Sequence, residues 1–177
     1  MAMSLKPQDV LVTLKLLVAG WPESFAELGQ QLGMSASAVH QAFKRARQSG
    51  LIQPDSKLPN KAALAEFLLF GLKYVFPAQP GSRCRGMPTS YAAKPLRDEF
   101  MSSSSSSFED DDVPVWPDPE GLQQGNELKP LYRSVPAAAR NDSKLYEWLA
   151  LADALRSGRA RERELAAKIV RKRLASA

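Results

Sequence analysis

The sequence predicts a mainly α-helical chain, with helices at both ends and an irregular segment between them, and three observations predict it. Apolar residues recur at helical spacing from Val10 to Val75 and again from Leu145 to Leu174. Nine of the thirteen prolines, Pro77, Pro80, Pro88, Pro95, Pro114, Pro117, Pro119, Pro130 and Pro136, fall in between, where they argue for extended, irregular chain. Charge is segregated. Residues 98–120 hold eight acids and no base, whereas residues 156–173 hold eight bases and only Glu162 and Glu164 as acids.

The elements follow in order. Pro7 suits a first helical turn, and Val10, Leu11, Leu14, Leu17 and Val18 make one apolar stripe, so the first helix spans about Pro7 to Ala19. Gly20 and Pro22 end it. Ser24-Phe25-Ala26-Glu27 has the form of a capping box, which starts a second helix carrying Phe25, Leu28 and Leu32 inward. Gly33 allows a left-handed turn, and Ser35 caps a third helix running to about Ser49, with Val39, Phe43 and Ala46 on one face and Ala42 beside them. Gly50 closes it. Leu51-Ile52-Gln53 reads as a short strand-like segment and Pro54-Asp55-Ser56 as a turn. Lys61 to Val75, capped by Asn60, is apolar on most sides, which predicts a helix buried between layers or against a partner.

Within the proline-rich segment, Val113 to Trp116 and Leu128 to Tyr132 offer apolar and aromatic residues that would dock on the preceding helix. Six serines (Ser102 to Ser107) and the run Glu109 to Asp112 bury too little apolar area to order themselves, so a flexible acidic loop is expected over about 98–112. Asn141-Asp142-Ser143 caps a further helix with Leu145, Trp148, Leu149, Ala152 and Leu155 inward; Ser157-Gly158 interrupts it, and helical spacing resumes to Leu174. The expected divisions are 1–58, 59–140 and 141–177.

Length and composition are those of a globular protein: 177 residues, 44% hydrophobic, net charge +5. Cys84 is the sole cysteine, which excludes an intrachain disulfide and a cysteine-cluster metal site and suits a reducing compartment. The apolar stretch Val10 to Ala19 is interrupted by Lys15 and falls short of the ~20 residues a membrane span needs. A cytoplasmic chain without a secretion signal or membrane association is the expectation.

Three successive helices, a turn at Gly33-Met34-Ser35, the opening Ser35-Ala36-Ser37-Ala38-Val39 and a basic stretch closed by Gly50-Leu51-Ile52 resemble the winged helix-turn-helix domain of bacterial transcription regulators of the MarR type. The resemblance covers roughly residues 8–58, the N-terminal third. It implies sequence-specific binding of duplex DNA by a homodimer acting in transcription regulation, with the helix 35–49 in the major groove, which admits one α-helix and displays base edges to it. Ser35 and Ser37 would then contact phosphate or base, Gln41 would pair with adenine, Arg45 with guanine, and Lys44 and Arg47 would grip the backbone. Ser35 is a helix cap under any function. His40, the one histidine, is expected as a solvated or backbone-contacting member of this helix, since no Cys or second His completes a metal site. The wing is short: Ile52 to Leu58 contains Asp55 and a single base, Lys57.

Beyond residue 58 the resemblance ends. The cations of Arg156 to Arg173 would track phosphates, lie on a surface helix in i,i+3 and i,i+4 pairs, or flank a stripe that meets another subunit. A competing reading is a protein-interaction module, for instance the antitoxin-like partner of a toxin, whose partner surface would be the Leu64 to Val75 helix with the Trp116 and Tyr132 region. No P-loop, G-x-G-x-x-G, G-x-S-x-G or H-E-x-x-H occurs, so neither an enzyme nor a cofactor is expected. Arg83 and Arg85 would favour a thiolate at Cys84.

Overall fold

The computed structural model describes residues 4–103 and 113–176, and the expected acidic loop lies over its 104–112 portion outside the described residues. The chain is mainly helical with one small three-stranded sheet, and it divides into two compact units: Met1–Glu66 with Leu131–Tyr146, and Phe67–Pro130 with Glu147–Ala177.

In unit 1, α1 (Pro7–Ala19), α2 (Phe25–Leu32) and α3 (Ala36–Gln48) follow the expected order, and both α1 and α2 pack on α3. The single stripe expected on α1 is corrected: Asp9 to Leu16 is buried without interruption, on every side of the helix. Its two charges are accommodated by partners. Lys15 donates to Asp142 at 2.7 Å, and Asp9 is held by Arg45. A further helix of the unit, α7 (Val135–Asn141), buries Val135, Pro136, Ala138 and Ala139 and packs against α2. Asp142 accepts from the Leu145 amide at 3.0 Å, capping α8 (Ser143–Ser157).

Lys61 to Val75 is a helix in three parts: α4 (Lys61–Glu66), a π-helical turn (Phe67–Gly71) and α5 (Leu72–Val75). Asn60 caps it, accepting from the Ala63 amide at 3.2 Å. Leu64, Leu68 and Leu72 are buried as their spacing predicts, but Phe70, Tyr74 and Val75 are 63%, 75% and 50% exposed. Burial within the chain thus covers one side of the helix, while Phe70 and Tyr74 lie open to solvent, where the expected alternative of burial against a partner would place them.

Among the described residues, most of the region read as irregular forms regular elements of unit 2. It contains β1 (Pro80–Pro88), a 3-10 turn (Ser90–Ala92), α6 (Leu96–Ser103), β2 (Pro114–Pro117) and β3 (Gln123–Leu128). The prolines misled because of where they sit: Pro80 and Pro88 begin and end β1, and Pro114 and Pro117 begin and end β2, positions where a missing N–H costs no ladder bond. Residues 98–103, where the sequence predicts the start of the flexible loop, belong to α6. Strand β1 runs antiparallel to both others, with Met87 opposite Trp116 and Cys84 opposite Gly125, while β2 and β3 pair in parallel, so the sheet closes on itself. Glycine makes the closure possible: a Cβ at Gly86 would lie 2.0 Å from the Trp116 carbonyl oxygen, and one at Gly125 2.2 Å from that of Val113.

Trp116 is buried at 1% exposure, so it forms no partner surface. Its Nε1–H donates to Asp153 of α8 at 2.6 Å. The Thr89 hydroxyl donates to the same carboxylate oxygen at 2.7 Å, and Arg156 Nε to the other at 2.8 Å. Arg156 also donates to the carbonyls of Phe76 (3.3 Å) and Lys129 (2.7 Å). A buried carboxylate so fully met holds strand, turn and helix together. The chain ends in α9 (Ala160–Ala175), which packs on α6 and buries Ala166, Val170 and Leu174. Cys84 is half-buried, and burial first, then the Glu127 charge, push its thiol above the ordinary range. The expected thiolate is thereby corrected: the flanking arginines alternate with Cys84 along the strand and point to its other face. Among the described residues no helix is long and apolar enough to cross a membrane.

Candidate nucleic-acid interface

The candidate surface lies wholly in unit 1 and is built on the turn between α2 and α3. Ser24 Oγ accepts from the Glu27 amide at 3.1 Å, starting α2, while the Glu27 carboxylate accepts from the Glu23 amide at 3.0 Å. The exit from α2 is sharp. Gly33 takes a left-handed conformation at φ 64°, and the Met34 amide bonds back to the Gly29 carbonyl at 2.8 Å. A Cβ at Gly29 would stand 2.5 Å from the Met34 carbonyl oxygen, so the close approach of the turn to α2 requires glycine there as well. Ser35 then caps α3, accepting from the Ala38 amide at 3.1 Å.

Two sets of contacts fix the rotation of α3. Val39, Ala42, Phe43 and Ala46 are buried against α1 and α2. Phe43 belongs to an edge-packed aromatic group with Trp21 (5.4 Å between centroids) and Phe25 (5.5 Å). The second set is an ion pair: Arg45 Nε donates to Asp9 Oδ2 at 2.8 Å and Nη2 to Oδ1 at 2.6 Å. Asp9 Oδ2 also accepts the Lys6 amide at 2.8 Å, closing the first turn of α1. Both side chains are buried, and the bidentate bond to Asp9 raises the already high guanidinium pKa further, against the opposing effect of burial.

Arg45 is thus placed away from the surface expected to meet guanine, and its donors toward Asp9 are spent. Sequence spacing put Arg45 beside Lys44 on a basic face, but Asp9, 36 residues earlier, draws it inward. Arg47 is exposed, yet its guanidinium donates to the carbonyls of Pro54 and Ser56 (3.2 Å to Ser56) and lies 5.7 Å from the Phe43 ring centroid. It braces a loop. The Ser35 hydroxyl serves as the cap. Ser37, His40, Gln41 and Lys44 are exposed together on the outward side of α3, with His40 edge-on to Phe25 at 4.9 Å. Gln48, exposed and absent from the expected set, extends the row: residues 37, 41, 44 and 48 follow helical three-and-four spacing, a signal readable in advance.

Beyond α3, Gly50 turns the chain at φ 83°, and Leu51 and Ile52 are buried. Ile52 bridges Pro59 in antiparallel fashion, flanked by bonds from the Gln53 amide to the Leu58 carbonyl (3.0 Å) and from the Asn60 amide to the Leu51 carbonyl (2.8 Å). The hairpin so closed carries Lys57, whose ammonium sits 4.1 Å from the Trp21 ring centroid. The surface therefore joins a polar helix face to a short braced loop with one cation. No family model, curated relative or solved structure matches the chain.

Proposed function

We propose that the chain binds duplex DNA sequence-specifically as a bacterial transcription regulator, with unit 1 a winged helix-turn-helix of the MarR type acting in a homodimer. The observation that carries this reading is the outward row Ser37, Gln41, Lys44 and Gln48 on α3, a helix whose inner side is pinned by Arg45–Asp9 and the aromatic group. Gln41 reads adenine through its amide, Lys44 grips phosphate, and Ser37 and His40 contact the backbone at the edges. The 53–58 hairpin is the wing, with Lys57 at the adjacent phosphates. Arg45 has no part in readout; its role is to hold the reading helix at a fixed angle.

The test is to select a duplex from a random pool and measure binding by mobility shift. Gln41→Ala is expected to weaken the selected duplex by about 1–3 kcal/mol, or roughly 5–150-fold, and to leave a random duplex unchanged. Equal affinity of the unmodified protein for selected and random duplexes would overturn specific readout. Sedimentation gives the oligomeric state.

One observation favours a second reading, a protein-interaction module such as an antitoxin-like partner: Phe70 and Tyr74 are 63% and 75% exposed on one side of a helix. Under it, a toxin-like protein covers these rings, and Phe70→Ser abolishes co-purification without altering DNA binding.

A further inference from the structure

We propose that the groove between α6 and α9 of unit 2 is a docking site for an acidic, apolar-studded segment of a partner protein. This inference is independent of the DNA-binding reading. Two adjoining cavities of about 380 and 260 Å³ run along the two helices and share Glu99, Leu165 and Lys168 in their walls. Together they extend from Arg161 to Ser176, about 22 Å at 1.5 Å per helical residue, which makes a trench rather than a compact pocket.

The floor is apolar. Pro95 opens α6, and Leu165 and Ile169 of α9 lie half-buried between its core residues and solvent. The rim is cationic: Arg161, Lys168 and Lys172 follow helical spacing along the same side of α9. Arg161 lies over the Phe100 ring at 5.3 Å, and neither Lys168 nor Lys172 has an ion-pair partner among the described residues. Arg173, by contrast, already holds Glu147 at 2.5 Å. An occupant must therefore bring carboxylates at the rim and aliphatic or aromatic side chains for the floor, the pattern of a helix or strand laid into a groove. Charge complementarity favours the approach, and burial of the floor supplies the contact area. A nucleic-acid backbone fits less well: it carries charge at regular intervals, so it would meet the Glu99 and Glu164 carboxylates, and it leaves Leu165 and Ile169 uncovered. A peptide places a neutral residue opposite each acid.

The probe is a fluorescein-labelled helical peptide of about 16 residues, long enough to span the trench at 1.5 Å per residue, with leucine on one face and glutamate on the other. Anisotropy titration into the full chain is expected to show saturable binding. Lys168→Glu with Lys172→Glu weakens it at least tenfold, and Ile169→Asn weakens it comparably. Arg171→Glu, on α9 but outside the trench, leaves it unchanged, with circular dichroism confirming that each variant folds. Absence of binding overturns the proposal. So does an equal loss with Arg171→Glu, which marks general attraction of polyanions, and so does displacement by a duplex whose own binding depends on Lys168 and Lys172, which assigns the trench to nucleic acid.

Discussion

α3 and α9 look like the same object when written as letters: each carries cations around an apolar stripe and ends in a run of them. The fold uses them in opposite ways. Of the three cations on α3, Arg45 is buried on Asp9, Arg47 is tied to the carbonyls of the following loop, and Lys44 alone is left to solvent beside Ser37, Gln41 and Gln48. On α9, Arg161, Lys168, Arg171 and Lys172 stay exposed, while Arg163 donates to the Gly158 carbonyl at 3.1 Å and Arg173 pairs with Glu147. Charge density along a sequence therefore does not measure charge offered to a partner. A helix with fewer free cations and more amides is suited to reading, whereas one with a cationic rim over an apolar floor is suited to docking.

The largest effect is expected at Arg45. If its charge is structural, Arg45→Met leaves the buried Asp9 carboxyl without its partner and destabilises the chain by about 3–5 kcal/mol in urea unfolding. Asp9→Leu combined with Arg45→Met recovers most of that loss, because an apolar pair needs no compensation, although the Lys6 amide loses its cap. If Arg45 instead served readout, the single variant would retain stability and lose only binding to the selected duplex.

A smaller effect is expected at the other buried cation of unit 1. Burial alone would raise the Asp142 carboxyl, but the hydrogen bond from Lys15 and the Leu145 and Lys144 amides outweigh it and hold the group below its ordinary range. The unfolded chain then binds this proton at a higher pH than the folded one. The stabilisation is present above the ordinary carboxyl pKa of about 3.9 and is lost as pH falls through the folded value. Asp142→Asn should flatten that acid limb of stability against pH, and Lys15→Met should lower stability at pH 7 by roughly 2 kcal/mol, the range of hydrogen bonds to charged groups.

How much was legible follows from the range of each interaction. Helices α1 to α3 with their caps, the turn at Gly33 and the break at Ser157-Gly158 were readable because Ser24, Ser35, Gly33 and Gly50 act within a few residues. The strands were not, since Pro80, Pro88, Pro114 and Pro117 mark disorder and strand ends alike, and only pairing across the chain tells the two apart. Asp9 is the sharpest case. In the sequence it is an ordinary first-turn acid, and nothing near it announces that Arg45 will close on it from another helix. The same long range hid the Asp153 cluster, whose donors Thr89 and Trp116 lie 64 and 37 residues away. Lys44, Gln41 and Ser37 were legible because exposure on a helix follows from spacing alone once the inward face is known.

The smallest effects are expected at two exposed cations, Lys44 and Arg171. Lys44→Ala and Arg171→Ala each delete one exposed cation from a helix, and both should change stability by no more than about 0.5 kcal/mol, as surface substitutions do. Their effects on DNA should differ. Each phosphate neutralised contributes about 0.9 to the slope of log affinity against log salt, so Lys44→Ala is expected to lower that slope by nearly one unit on selected and random duplexes alike. Arg171→Ala should leave the slope where it was if duplexes are met by α3 and not by α9. Titration of both variants between about 50 and 200 mM salt, the range over which such slopes are resolved, decides the matter. Equal slopes for the two would mean that the protein attracts duplexes through its overall positive charge rather than through α3.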